Sequence, residues 1–226
     1  PYASLRGVGV LSLEVKELGA SFGFNSEVSG EGDSGGPVAM IVEDLDGDTV
    51  DDIVVAVSTQ DTIDVWLNDG NGTLCLDSRT SLPSAPSDMT AADFDQDGDI
   101  DLAITQPLTD QALVYLNDGV GGFSLGATLT TGDQPEGITA FSLNGDNLPD
   151  LAVTNFNDDT ISTFENTTTL LPLGFGLQSV VNTVSKPKPI SPGGLGTGSN
   201  KDDDLIVVGD EEGGAHENDG LGLGIG

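Results

Sequence analysis

Positive charge is what this chain of 226 residues lacks most: 6 lysines and arginines stand against 38 aspartates and glutamates, a formal net charge of −32. With no basic patch, nucleic acid and anionic membranes are poor partners. Such charge density repels itself unless cations neutralise it. Bound Ca²⁺ would do part of that, and a saline habitat is the competing explanation. Cys75 is the only cysteine, so no intrachain disulfide can form. In a secreted protein that removes the usual staple and leaves metal ions as the alternative. His216 is the only histidine, and no catalytic His/Asp/Ser or His-metal constellation is visible. There is no apolar run of ~18 residues for a membrane-spanning helix. No N-terminal signal pattern is present either, so the expectation is a processed chain or part of a longer one.

What is abundant is glycine, 32 residues, and short β-branched runs. That pattern favours many short strands joined by polar turns. The stretch that organises them is Asp93-Phe94-Asp95-Gln96-Asp97-Gly98-Asp99-Ile100-Asp101, or D-x-D-x-D-G-x-x-D. Alternate side chains in such a loop can converge on one point. Ca²⁺ takes six to eight oxygen ligands at about 2.3–2.6 Å, and aspartates plus a backbone carbonyl provide them. One such turn could be no more than solvated surface. Its recurrence argues otherwise.

Asp52, Asp101 and Asp150 each open a strand-like run and lie 49 residues apart; Asp204 opens a fourth run 54 further on. Fifteen residues before these aspartates stand Pro37, Pro86, Pro135 and Pro189, and sixteen after the first three stand Asn68, Asn117 and Asn166. Trp66, Tyr115 and Phe164 hold a common position two residues earlier. Each unit reads as a proline-marked turn, a strand (Val38–Val42, Met89–Ala92, Ile138–Phe141), the acidic loop, and three more strands. Four short strands per ~40–50 residues is the repeat of a propeller blade. The expected fold is all-β, a β-propeller of four-stranded antiparallel blades, about four of them plus an incomplete blade at the N-terminus. The expected divisions are residues 1–30 (trailing strands of the incomplete blade, Val8–Val15 and Ser21–Val28), 31–83, 84–132, 133–183, and a degenerate blade at 184–226. After Asn218 the sequence is too short and glycine-rich to indicate a fourth strand.

These residues resemble the FG-GAP/VCBS-type repeat of integrin α-subunit propellers and many secreted bacterial proteins. The matching pieces are "DLDGDTVDD", "DFDQDGDID" and "SLNGDNLPD", followed by "LNDGNG", "LNDGVGG" or "ENTT", over roughly residues 32–220. The resemblance implies a propeller with Ca²⁺ in the loop between the first two strands of each competent blade, and an extracellular binding or structural role. Carried over residue by residue, the first site is Asp44, Asp46, Asp48, the Val50 carbonyl and Asp52, in loop 44–52. The second is Asp93, Asp95, Asp97, the Asp99 carbonyl and Asp101, in loop 93–101. The third is Ser142, Asn144, Asp146, the Leu148 carbonyl and Asp150, in loop 142–150. With two carboxylates the third should bind more weakly. The expected cofactor is therefore Ca²⁺, at two strong sites and one weaker. The fourth copy offers Gly196, Gly198, Asn200 and Asp204, too few oxygens for tight binding. Thr49 and Asn147 stand where Gly98 stands, and a β-branched residue tolerates a left-handed conformation poorly, so local reshaping of the first loop is expected. An EF-hand needs a bidentate Glu at the twelfth position, and Val55, Ile104 and Val153 stand there instead.

Gly32-Asp33-Ser34-Gly35-Gly36-Pro37 spells the signature around the nucleophile of trypsin-like proteases. The sole histidine follows that serine rather than preceding it, and Pro37 keeps register with Pro86 and Pro135. The string is read as an inter-blade turn. Asn71 and Asn166 begin N-glycosylation sequons on predicted turns. Trp66, Tyr115 and Phe164 are read as strand-3 residues packed between blades rather than as a sugar-binding ladder. Cys75 is expected to be a buried small apolar residue.

The resulting expectation is a non-enzymatic extracellular or cell-surface module, a Ca²⁺-stabilised propeller serving adhesion or assembly. Its partners would be other protein chains, an adhesion target or further copies joined head to tail through incomplete end blades; carbohydrate is a further candidate. Nucleic acid and membrane insertion are not expected. The alternatives are a lectin-like or enzyme-associated scaffold, or a piece of a larger propeller.

Overall fold

The computed structural model of the chain describes residues 12–15, 20–23, 36–71, 73–168, 173–183, 185–193, 204–209 and 221–223. Strands β1 (Ser12–Val15) and β2 (Ala20–Gly23) pair with each other. Three four-stranded antiparallel meanders follow. The first contains β3 (Pro37–Glu43), β4 (Asp52–Val57), β5 (Thr62–Asn68) and β6 (Leu74–Ser81). The second contains β7 (Asp88–Ala92), β8 (Asp101–Gln106), β9 (Gln111–Asn117) and β10 (Phe123–Thr130). The third contains β11 (Pro135–Phe141), β12 (Asp150–Asn155), β13 (Thr160–Asn166) and β14 (Phe175–Asn182). A three-stranded sheet closes the series: β15 (Pro187–Gly193), β16 (Asp204–Gly209) and β17 (Leu221–Leu223). The glycine-rich tail thus supplies a short strand that its composition did not indicate, paired to β16. His216 and Asn218, like Ser34, lie outside the described residues.

The sheets stack through their faces. The first strands of successive sheets, β3, β7, β11 and β15, approach one another in chain order. The second strands are buried along nearly their whole length, and β8 and β12 each have a neighbouring sheet on both sides. That is why they read as unbroken runs such as Ile53-Val54-Val55-Ala56 rather than as alternating apolar and polar residues. The fourth strands are outermost and mostly exposed. Period-two alternation splits the core by sheet face. Leu102 and Ile104 join Ile41, Leu45, Val54 and Val65 between the first and second sheets. Ala103, on the opposite face, joins Phe94, Ile138, Leu151 and Phe164 between the second and third. Fully burying a Leu, Ile or Phe is worth about 1.5–3 kcal/mol, so most of the stacking energy resides in these two interfaces.

The repeat extends to fine detail. Ile53, Leu102 and Leu151 pair with Trp66, Tyr115 and Phe164 respectively, and a bulge interrupts the third-to-fourth strand ladder beside each aromatic. Tyr115 and Phe164 are buried between sheets, while Trp66 is half-buried. Where β11 meets β15 the approach is so close that a Cβ on Gly137 would collide with the carbonyl oxygen of Lys188. Cys75, expected to be buried, is exposed: it lies on β6, an outermost and mostly exposed strand.

Candidate metal centre

Each acidic loop joins the first strand of a sheet to the second, and all three loops share one backbone shape. Positive φ occurs at the fourth position (Gly47, 76°; Gln96, 62°; Gly145, 72°) and at the sixth (Thr49, 73°; Gly98, 102°; Asn147, 70°). The expected reshaping of the first loop does not occur. Thr49 adopts the left-handed conformation in spite of its branched side chain, held by a hydrogen bond from its N–H to Asp44 Oδ2 at 2.9 Å. The equivalent bond runs from Gly98 N to Asp93 Oδ2 at 3.1 Å. Glycine is thus needed at only one of the two left-handed positions, and different loops place it at different ones.

The alternating side chains converge. Carboxylate oxygens of Asp44, Asp46 and Asp48 lie within 4.8 Å of one another, and so do those of Asp93, Asp95 and Asp101. Two oxygens on one calcium ion at about 2.3–2.6 Å lie no more than about 5 Å apart, so this spacing is compatible with a shared ion. A second observation supports the fit: Asp93 Oδ1 is buried with no hydrogen-bond partner. A buried polar atom left unsatisfied carries a desolvation cost, and a cation would remove it. Asp97 accepts the Asp99 N–H within the second loop. The Val50, Asp99 and Leu148 carbonyls belong to the same turns.

The third loop is assembled differently. Ser142 Oγ accepts the Gly145 N–H at 3.2 Å. The Asn144 amide nitrogen donates to Asp146 Oδ2 at 3.1 Å and to Glu165 Oε1 at 2.9 Å. Glu165, one residue before Asn166 on β13, therefore brings a carboxylate to the loop that the loop's own sequence does not contain. Leu67 and Leu116 hold its position in the other sheets, so the one-residue departure from the repeat was a visible signal.

The last aspartate of each loop has a further role. Asp52, Asp101 and Asp150 are fully buried. Asp101 accepts the Phe94 N–H and the Asn117 N–H, each at 2.9 Å, on its two oxygens. Asp52 accepts Leu45 N and Asn68 N at 2.9 and 2.8 Å, and Asp150 accepts Leu143 N and Asn166 N at 2.6 and 2.8 Å. One carboxylate thus ties the loop to the far end of the third strand. Burial pushes the Asp101 carboxyl up to about 7; the two N–H donors oppose this, and repulsion from Asp95 and Asp97 adds to it. Asp52 and Asp150 are raised for the same leading reason, as is Asp95 by burial and then by Asp97. Stacked carboxylates with no cation among them are under electrostatic stress, which a dication relieves.

The residues that sequence reasoning marked without explaining are the asparagines. Asn117 Nδ2 donates to the Leu45 carbonyl at 2.9 Å, and Asn166 Nδ2 to the Phe94 carbonyl at 2.8 Å. Both bonds are buried and reach 72 residues back, into the acidic loop of the preceding sheet. Asn68 makes the in-sheet bonds, its Nδ2 donating to the Asp51 carbonyl at 3.1 Å. These contacts correct the reading of Asn166 as a glycosylation acceptor on a turn: it ends β13, is fully buried, and both ends of its amide are occupied. Asn71 is exposed.

Stacked four-stranded meanders, each with an acidic loop between its first and second strands, define a β-propeller-type repeat protein. Residues 44–104 and 93–153 each match the model of an FG-GAP-like repeat, so that stretch carries FG-GAP-type repeats. No curated protein matches it. Among solved structures, the chain resembles BBS1N, crystallised in complex with ARL6DN and soaked with lead, with a TM-score of 0.53 at 14% identity over 83% of this chain and 52% of that one. It also aligns with virginiamycin B lyase from Staphylococcus aureus, with a TM-score of 0.48 at 14% identity over 85% of this chain and 54% of that one. The chain thus spans about half the length of either. The first likeness supports a propeller fold and nothing further. No helix among the described residues is long and apolar enough to cross a membrane.

Proposed function

We propose that the protein is a non-enzymatic, calcium-stabilised propeller module of the extracellular space or cell surface, used for adhesion or assembly. The convergence of Asp93, Asp95 and Asp101 around a buried, unpartnered carboxylate oxygen carries the calcium reading. Asp44, Asp46 and Asp48 would hold a second ion, and Asp146, Asp150 and Glu165 with Asn144 and Ser142 a third, more weakly. Bound calcium supplies charge neutralisation and fixes ligand geometry. The chain's own residues do the rest: the last aspartate fastens each loop to the third strand, and Leu45 and Phe94 are buried in the interfaces between sheets. Ion binding is then linked to folding by mass action. The extracellular placement follows the usual setting of FG-GAP-type repeats. Protein chains are the proposed partners.

Self-association is the second reading. Among the described residues the first sheet has two strands and the last has three, where the three between have four. Unpaired strand edges tend to be covered, and end sheets of two chains could complete one another head to tail.

Chelation tests the first reading. EGTA should lower the melting temperature by on the order of 5–10 °C for each loop loaded at a hundred times its Kd. An unchanged melting curve would sink it. Sedimentation across a range of concentrations tests the second; a monomer throughout would remove it.

A further inference from the structure

The three loops are not independent turns on a common scaffold. A hydrogen-bonded series runs through all of them. It passes from Asp52 Oδ2 to Leu45 N, then from the Leu45 carbonyl to Asn117 Nδ2, and from Asn117 N to Asp101 Oδ1. It continues from Asp101 Oδ2 to Phe94 N, from the Phe94 carbonyl to Asn166 Nδ2, from Asn166 N to Asp150 Oδ1, and ends from Asp150 Oδ2 to Leu143 N. Every link lies between 2.6 and 2.9 Å. Two asparagine side chains make the only crossings between sheets in this series.

We propose that Asn117 and Asn166 are positioning residues that make the loops load with calcium cooperatively. The inference rests on the calcium reading above and deepens it. Leu45 stands between Asp44 and Asp46, and Phe94 between Asp93 and Asp95, so each tethered carbonyl belongs to the residue separating two ligands. Their side chains are also fully buried against the next sheet, which leaves the segment few ways to move. An ion in the second loop holds Asp101, hence the end of β9, hence the Asn117 amide, hence the backbone of the first loop. Ordering a residue's backbone costs about 1–2 kcal/mol, and a neighbour that has already imposed that order lowers the cost for the next ion. Repulsion between dications does not cancel the gain. The first and second loops each contain five aspartates, so a loaded loop remains anionic to its neighbours.

Each loop contains one glycine, Gly47, Gly98 or Gly145, and these amides report the loops separately. The experiment is a calcium titration of the full chain followed by NMR at those three signals, with stoichiometry from calorimetry. In the wild type the three signals should shift over a narrower range of calcium than independent sites allow. Asp93→Asn, which cripples the second loop, should weaken uptake at Gly47 by about 5-fold or more, the lower end of ordinary coupling between sites. In an Asn117→Ala background Gly47 should already show the weaker affinity, and adding Asp93→Asn should change it no further. Asn166→Ala should uncouple Gly145 from Gly98 while leaving Gly47 and Gly98 coupled. If Asn117→Ala does not fold, Asn117→Asp keeps the side-chain shape and removes the donor. Equal Gly47 affinities in wild type, Asp93→Asn and the Asn117 variant would overturn the coupling while leaving calcium binding intact. A wild type that takes up no calcium would overturn the calcium reading, and the coupling with it.

Discussion

The second and third acidic loops have the same backbone and different chemistry. Both turn left-handed at their fourth and sixth positions, and both end in a buried aspartate that accepts two backbone N–H groups. Yet the second begins with Asp93 and the third with Ser142, and only the second gathers three carboxylates of its own. The comparison separates two roles that one motif conceals. The last aspartate fastens its loop to the third strand in both loops through two backbone N–H groups, and in the second it also belongs to the carboxylate cluster. The first position, Asp93 in one and Ser142 in the other, sets the expected difference in affinity.

The largest expected effect breaks the fold role. Asp101→Ala strips the acceptor from two buried N–H groups, and each orphaned group costs about 1–3 kcal/mol. The loss should therefore be about 3 kcal/mol or more in urea unfolding, with calcium or without. Asp93→Asn should instead leave the calcium-free midpoint where it is and abolish most of the calcium-induced increase. Equal losses in the absence of calcium would mean that the two roles are not separable.

Next come changes that move the third loop toward the second. Ser142→Asp should strengthen calcium binding there by about tenfold, the equivalent of roughly 1.4 kcal/mol, and Glu165→Gln should weaken it, both read by the Gly145 amide signal. No change on losing Glu165 would show that its carboxylate serves only to hold Asn144. The smallest effect is in the first loop. Thr49→Gly should relieve the left-handed strain and stabilise the protein by about 1 kcal/mol. A destabilised variant would mean that the threonine side chain contributes more than its strain costs.

Much of this was visible in the sequence because the repeat is so regular. A period of 49 puts the prolines, last aspartates, aromatics and asparagines in register, and the last aspartates Asp52, Asp101 and Asp150 prove to make equivalent bonds in their sheets. Tyr115 and Phe164 are buried between sheets, as their position indicated. The role of the asparagines was not legible, since each acts on a carbonyl 72 residues earlier in another sheet and no local pattern points there. The exposure of Cys75 was missed because it depends on β6 being outermost, a fact of stacking rather than composition. Asn166 looked like part of a turn because "ENTT" is polar. It is buried because the amide is needed inside. The left-handed Thr49, its N–H bonded to Asp44, shows that a hydrogen bond within the loop can impose what glycine would otherwise permit.

The second loop is central: it gathers a proposed cation between Asp93, Asp95 and Asp101. Crystals grown in calcium and exchanged into terbium would show this directly through anomalous scattering. The predicted result is a strong peak within about 2.3–2.6 Å of oxygens from all three aspartates, a comparable one at Asp44, Asp46 and Asp48, and a weaker one in the third loop. An empty second loop in such crystals, or a peak confined to the third, would contradict it.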